Sequence, residues 1–121
     1  MKNDKMTVTF LGTGTSIGVP VITCDCPVCT SGDPRDSRSR ASVMIEVNDE
    51  VFVIDCGPDF RMQMLREKVM NLSAILFTHE HRDHIAGLDD VRAFNYVLNK
   101  RIDIYGVKRT LDMIQTEFPY I

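Results

Sequence analysis

All three histidines of this chain lie within six consecutive positions, directly after an apolar run at residues 74–77. Such a run is typical of a strand buried on both faces, and ligands commonly bind where such strands end in layered folds. The segment offers four candidate metal ligands: His79, His81, Asp83 and His84. Imidazole nitrogen and carboxylate oxygen suit zinc, iron or manganese. The sequence therefore predicts a fold built around a metal site at a strand end.

The spacing of these ligands predicts two neighbouring metals. Side chains alternate along an extended segment, so His79, His81 and Asp83 would share one face, and a turn would bring His84 to it. We assign His79 and His81 to one metal, and Asp83 and His84 to the other. The alternative is a solvated loop whose histidines occur by chance, and the density of ligands at a strand end argues against it.

The hydrophobic pattern of the rest of the chain predicts five strands. Alternating or continuous apolar residues mark strands at 7–11, 43–47, 51–54, 74–77 and 102–105, and the second and third form a hairpin. Strands that come early and then alternate with helices indicate an α/β or α+β layered domain.

Three helices are expected between or after these strands. Apolar residues at helical spacing mark helices at 60–70 and 88–98 and a last helix that contains Leu111, Ile114 and Phe118. The first helix is expected to begin at the capping residue Asp59. Its buried face is expected to consist of Met62, Leu65 and Val69.

Length and charge exclude several classes of protein. The 121 residues suffice for one small domain, and no stretch reaches the roughly 18 apolar residues of a membrane span. Residues 1–5 are polar and lack the apolar core of a signal peptide, so we expect a cytoplasmic protein. The net charge of −3 disfavours non-specific nucleic-acid binding, which needs a strongly basic surface.

Three of the four cysteines lie close together in an irregular region at residues 20–40. Cys24, Cys26 and Cys29 could share one tetrahedral zinc, and such a metal would hold a loop that is unusually long for a compact domain. The alternative is three free thiols. The fourth cysteine, Cys56, follows a predicted strand and is interpreted as a small buried apolar residue.

The segment from Thr78 to His84 resembles the metal signature of the metallo-β-lactamase superfamily. Residues 10–16, 54–57 and 87–92 also resemble one branch of it, the phosphoribosyl 1,2-cyclic phosphate phosphodiesterases, which are related to the tRNA maturation endonucleases. The resemblance implies an α+β fold, the metallo-β-lactamase-like αββα layered sandwich. Residues 1–121 would form its N-terminal part, with the cysteine-rich loop 20–40 included. This half would have a mixed sheet with helices on one face, and dimerisation is one way to complete it.

The resemblance also implies an activity, that of a metal-dependent hydrolase. Metal-bound hydroxide would attack a phosphodiester or a cyclic phosphate, with two catalytic zinc ions in the full-length parent and a structural zinc on the cysteines. Manganese or iron are alternatives at the catalytic sites. Asp83 would also orient the hydroxide, and Asp55 would brace the metal loop from behind the ligands. Thioester hydrolysis is the alternative activity within the superfamily.

The family pattern includes a further histidine, a bridging aspartate and a final histidine, and this sequence has no histidine after His84. A catalytic zinc usually has three protein ligands, and the chain offers at most two for each metal. We therefore expect a catalytically incomplete metal-binding half-domain, weakly active or inactive alone. It would be the N-terminal half of a longer enzyme, or it would associate with a second copy as a homodimer.

Glycines and arginines near the predicted site are candidates for contact with a substrate phosphate. Gly12, Gly14 and Gly18 let backbone N–H groups approach a phosphate closely, although a plain tight turn explains them equally well. Arg38 and Arg40 could bind a phosphate bidentately, and a solvated loop is the alternative. The net charge favours a small phosphodiester or cyclic phosphate substrate over RNA.

Overall fold

The computed structural model describes residues 5–121, which form one mixed five-stranded sheet with helices on one face. The strands lie in sequence order across the sheet. The first two pairings are antiparallel and the last two are parallel. The strands are β1 (Met6–Gly12), β2 (Ser42–Val47), β3 (Glu50–Ile54), β4 (Ala74–Leu76) and β5 (Asp103–Tyr105).

Four α-helices and two short 3₁₀ turns lie between or after these strands. The helices are α1 (Phe60–Arg66), α2 (Arg82–Ile85), α3 (Arg92–Leu98) and α4 (Lys108–Glu117). The 3₁₀ turns are Pro34–Asp36 and Leu88–Val91, and the second runs directly into α3. All five predicted strands and all three predicted helices are present. None of the helices described is long and apolar enough to cross a membrane.

The two faces of the sheet differ in burial. Val53 and Ile75 are fully buried beneath the helices, where they pack with Phe60, Leu88 and other apolar residues. On the opposite face no element of residues 5–121 covers the strands, and Phe10 is 70% exposed there. The structure therefore has helices on one face only, as the resemblance implied.

Strand β2 shows the same asymmetry. Met44 is buried on the helix side, whereas Val43 and Ile45 on the other side are only partly buried. Val43, Ile45 and Val47 make the other face of β2 the more apolar one, yet it is the uncovered face, because the helices pack against the side that carries Met44.

Helix α1 is shorter than predicted, and a different face of it is buried. It ends at Arg66 because Lys68 has a left-handed φ of +53°, and the Val69 amide donates to the Met64 carbonyl as in a Schellman motif. No glycine marks this stop in the sequence. Met62 and Leu65 are exposed, and the buried members are Phe60, Gln63 and Met64.

The expected cap of α1 has another role. The Asp59 side chain makes no capping hydrogen bond. Its carboxylate instead accepts from the Arg40 amide (2.9 Å) and from the Arg40 guanidinium (3.2 Å). Asp59 therefore ties the helix to the segment before β2.

The glycine-bearing loop after β1 is joined to that same segment. The Gly14 amide donates to Ser39 O (2.7 Å), and Val19 and Arg38 exchange two backbone hydrogen bonds. A Cβ atom at Gly12 or Gly14 would overlap the backbone of residues 38–40. The close approach that these glycines permit is therefore to the protein's own backbone.

Candidate metal centre

The histidine-bearing segment lies where β3 and β4 end. These neighbouring strands are parallel, so their carboxyl ends meet at one edge of the sheet. Asp55 directly follows β3, and the Thr78–His79 segment follows β4. The turn that the sequence required to bring His84 round is supplied by α2, which begins at Arg82. The topology alone therefore places Asp55 beside the histidines.

Asp55 is the buried centre of this edge. It is 4% exposed and has a left-handed φ of +64°, a strained conformation for a residue with a side chain. Oδ1 accepts from the Thr78 amide (2.8 Å), and Oδ2 accepts from the Thr78 hydroxyl (2.6 Å) and pairs with His84 Nδ1 (2.7 Å). The Ser42 hydroxyl donates to Asp55 O (2.9 Å) and fixes the strained turn. These contacts are consistent with the bracing role that the resemblance implied for Asp55, which stays a prediction.

These contacts favour one tautomer of each of two histidine rings. The only hydroxyl hydrogen of Thr78 goes to Asp55, so Thr78 Oγ1 must accept from His79 Nδ1, 2.9 Å away. His84 Nδ1 likewise donates to the Asp55 carboxylate. Neutral imidazole carries one proton, so the Nε2 atoms of His79 and His84 are both left with free lone pairs. That is the form in which histidine binds a metal.

The four predicted ligands lie together. His84 Nε2 is 3.0 Å from Asp83 Oδ2, and the His79 ring centroid is 4.0 Å from that of His84 and 4.5 Å from that of His81. The shorter of these two ring contacts joins His79 to His84, across the pairs assigned from spacing, so the division of the ligands between two metals stays a prediction. The ligand atoms of Asp55, His79 and His84 also lie within 4.8 Å of one another. Because both oxygens of Asp55 already accept hydrogen bonds, we interpret Asp55 as a brace.

The backbone of the turn after β3 packs directly against α2. The Cys56 amide donates to His84 O (2.8 Å), and the Gly87 amide donates to Cys56 O (2.9 Å). A Cβ atom at Gly57 would overlap the Asp83 carbonyl oxygen. Cys56 is fully buried, as predicted, and burial raises the pKa of its thiol well above the usual range, with smaller effects from Asp90 and Asp55.

The three clustered cysteines also converge. The sulfur atoms of Cys24, Cys26 and Cys29 lie within 4.8 Å of one another, and all three thiols are free and partly buried. The Cys29 amide donates to Cys26 Sγ (3.4 Å), and with smaller contributions from Cys24 and Cys29 Sγ this lowers the pKa of Cys26 to about 7. Three thiols at this spacing, one of them ionised near neutral pH, fit a tetrahedral metal.

The two candidate phosphate-binding arginines already have partners. Arg40 donates from Nε to Ser16 O (3.0 Å) and from Nη1 to Asp59, and its Cβ lies beside Gly57. Arg38 donates from Nε to Arg35 O (2.9 Å) and from Nη1 to the Thr13 hydroxyl (2.9 Å). Arg40 is therefore near the metal loop but held in an ion pair, whereas the partners of Arg38 are neutral. Their binding of substrate stays a prediction.

Three supporting residues were not found from the sequence. Thr78 joins His79 to Asp55, Ser42 fixes the Asp55 turn, and Glu80 attaches the segment to α4. The pKa of Glu80 is lowered, mainly by its own backbone N–H and further by Thr110 and Arg109. A threonine beside a histidine is too common a pattern to reveal such a role, and Glu80 and Thr110 are thirty residues apart.

Residues 51–121 match the family described as "Beta-lactamase superfamily domain". Among curated proteins, the chain is 42% identical to an octanoyltransferase of Porphyromonas gingivalis (93% of this chain, 23% of that protein). It is 35% identical to a ribonuclease Z of Nostoc punctiforme (95% and 33%). It is 28% identical to zinc phosphodiesterase ELAC protein 1 of Mus musculus (96% and 32%). The chain thus spans a third or less of these relatives.

Among solved structures, the chain is similar to one described as a new diphosphatase from the PhnP family. The TM-score is 0.91 and the sequence identity 46%, over 95% of this chain and 46% of that one. More than half of that protein lies outside the match, as with the curated relatives.

Proposed function

This chain belongs to the β-lactamase superfamily, and we propose that it carries the metal-binding edge of a metal-dependent phosphodiester hydrolase. Membership confirms the resemblance first seen in the segment from Thr78 to His84. The fold that the resemblance implied is confirmed by the similar diphosphatase structure. What the complete protein does stays a proposal, because the relatives extend well beyond the matched region.

One observation carries the proposal: Asp83 Oδ2 faces His84 Nε2 at 3.0 Å. With the Nδ1 proton directed at Asp55, both facing atoms are acceptors, and their contact is unfavourable unless a proton or a cation lies between them. A proton alone would satisfy this pair, and so would a cation; because imidazole and carboxylate are common metal ligands, we propose that a divalent metal, zinc, binds here. His79 and His81 would hold a second ion.

The residues of this chain would prepare such a site rather than complete it. A metal pair, when bound, lowers the pKa of water towards about 7 and stabilises charge on phosphoryl oxygens. Thr78 and Asp55 would hold the His79 and His84 rings by Nδ1, which leaves the Nε2 atom of each ring free to bind a metal. Asp83 would orient the nucleophile, and Arg38 could exchange its neutral partners for a phosphate oxygen.

The names of the relatives support chemistry at phosphorus. One is a ribonuclease, one is a zinc phosphodiesterase, and the similar structure is a diphosphatase. Because one relative is a ribonuclease, RNA is tested as a substrate class. It is tested beside the small phosphodiester or cyclic phosphate that the net charge favours. The octanoyltransferase name concerns acyl chemistry, and the match covers 23% of that protein. A thioester is therefore included in the test.

The test combines metal analysis with turnover in the full-length protein. We expect zinc at the histidines and hydrolysis of a chromogenic phosphodiester, a diphosphate or an RNA end, with an octanoyl thioester as the comparison. His79→Ala should lose at least one metal per chain and reduce turnover by about 100-fold or more. Asp112→Asn, an exposed change on α4, is the control.

Two results would contradict the proposal. Unchanged metal content in His79→Ala would remove the ligand assignment, and turnover of the thioester alone would replace phosphodiester hydrolysis by acyl chemistry. Bound metal without turnover of any substrate would leave a metal-binding half-domain. Light scattering on the 121-residue chain tests the alternative in which two copies associate as a homodimer.

A further inference from the structure

The three histidines of the metal loop differ in what orients them. His79 and His84 each have a hydrogen-bond partner on Nδ1, and both partners lead to Asp55. His81 is exposed, and within residues 5–121 its ring makes no hydrogen bond. Histidines that bind metals almost always have such a partner on the second nitrogen. The direction of His81 must therefore be set by its backbone.

The peptide before His81 is attached to helix α4. One carboxylate oxygen of Glu80 accepts from the Thr110 hydroxyl at 3.0 Å, and the other lies 2.9 Å from Arg109 Nε. Thr110 is fully buried, whereas the Arg109 side chain is 79% exposed. Both donors lie in the first turn of α4, the end of a helix that favours a carboxylate.

The residue after His81 is attached to the other end of the same helix. Arg82 Nη1 lies 3.5 Å from a carboxylate oxygen of Glu117, the last residue of α4. Both side chains are well exposed, and exposed ion pairs of this kind contribute little. The partly buried hydrogen bond between Thr110 and Glu80 is therefore the principal attachment.

We propose that α4 positions His81 by holding the residues on either side of it, with Thr110 as the anchor. This rests on the proposed function, in which His81 binds a metal. Thr110 touches neither metal nor substrate and acts through Glu80, so it is a positioning residue. Its hydroxyl fixes the carboxylate that lies between His79 and His81 in the sequence, and thereby fixes the separation of the two rings.

Thr110→Val tests the anchor, because it keeps the shape of the buried side chain and removes only the hydroxyl. We expect the affinity of the histidine site for Zn²⁺ to fall by about tenfold, the lower end of the range for lost partners of metal ligands. Thr110→Ser should restore it. Thr116→Val is the matched control, since Thr116 lies on the same helix and its hydroxyl donates only to Asp112 O.

Affinity is measured in the full-length protein by competition with a chromophoric chelator, and the histidine-site metal is defined as that lost in His79→Ala. Co²⁺ loaded into the same site adds a spectroscopic signature. We expect its visible bands to change in Thr110→Val and to recover in Thr110→Ser. Urea unfolding of the metal-free variants identifies any that do not fold.

Each outcome decides the matter. Wild-type affinity and an unchanged Co²⁺ spectrum in a folded Thr110→Val protein would overturn the positioning role while leaving the proposed function intact. A wild-type protein that binds no metal at the histidines would overturn the proposed function itself. If Thr110→Val fails to fold, Glu80→Ala removes the same contact from the side of the partly buried loop residue, and unchanged affinity there would also overturn the inference.

Discussion

The histidine and cysteine clusters each place their ligands within six positions of the sequence, but they have different surroundings in the structure. The histidine cluster is held by residues distant in the chain: Asp55 lies 29 positions before His84, and Thr110 lies 30 after Glu80. The cysteine cluster is held by contacts within its own loop, such as the Val21 amide on Cys29 Sγ eight positions away.

The difference implies that the histidine site is formed by the fold itself, whereas the cysteine site would be formed only when metal binds. Strand ends and a buried carboxylate shape the histidine cluster before any ion binds. The cysteine loop has no buried core of its own, and metal binding then contributes directly to its folding. We expect the two clusters to respond in opposite ways to the same perturbations.

The largest effect is expected from Asp55→Asn at the brace. The change keeps the shape but removes the charge that three hydrogen bonds depend on. We expect the free energy of unfolding to fall by about 2–4 kcal/mol, because hydrogen bonds to a buried charge are the strong ones. Urea denaturation of the metal-free protein measures it. A loss below about 0.5 kcal/mol, the usual scale of surface changes, would mean that the edge is not preorganised.

A pair of glycine substitutions compares the two clusters directly. A Cβ atom at Gly57 would overlap the Asp83 carbonyl, whereas one at Gly32 in the cysteine loop meets nothing within 4 Å. We expect Gly57→Ala to cost about 1–3 kcal/mol through overpacking. Gly32→Ala should be neutral or stabilising by up to about 1 kcal/mol. Equal losses in the unfolding free energy would show that the cysteine loop is as tightly packed as the metal loop.

Chelation is expected to loosen the cysteine loop alone. Limited proteolysis follows the population of the open form, and a tenfold faster cleavage corresponds to about 1.4 kcal/mol. We expect at least that acceleration within residues 20–40 after metal removal, and no new cleavage at residues 78–85. Cys24→Ser without chelator should reproduce the pattern. Cleavage indifferent to chelator would argue for three free thiols.

The sequence predicted the features that depend on local pattern. The strands, the hairpin and the placement of His79 after a buried strand follow from apolar periodicity, which adjacent residues fix. The direction of each ligand was not predictable in this way. It depends on the hydrogen bond from Thr78 to Asp55. These residues follow two different strands, which are neighbours only because of the strand order in the sheet.

The errors in α1 have the same origin. Periodicity placed Met62 and Leu65 in the core, but the structure buries Gln63, whose amide donates to Ser39 Oγ and Arg40 O at 3.0 Å. These distant partners satisfy the Nε2 group of the buried amide, whereas its Oε1 has no hydrogen-bond partner within residues 5–121. Those partners belong to the irregular segment before β2, whose path has no periodic signal.

The smallest effect is expected from Asp33→Asn in the cysteine-bearing loop. The carboxylate accepts from the Arg35 amide (2.9 Å) and guanidinium (2.6 Å), and these contacts, the guanidinium first, lower its pKa. A carboxyl whose pKa is lowered in the folded state contributes to the free energy of unfolding above its normal pKa. That contribution is lost as the pH falls and the carboxylate is protonated. Because Arg35 is 87% exposed, solvent screens the pair. We expect no measurable shift in the urea midpoint at pH 7. A shift approaching that of Asp55→Asn would show that local contacts alone can hold a metal loop in place.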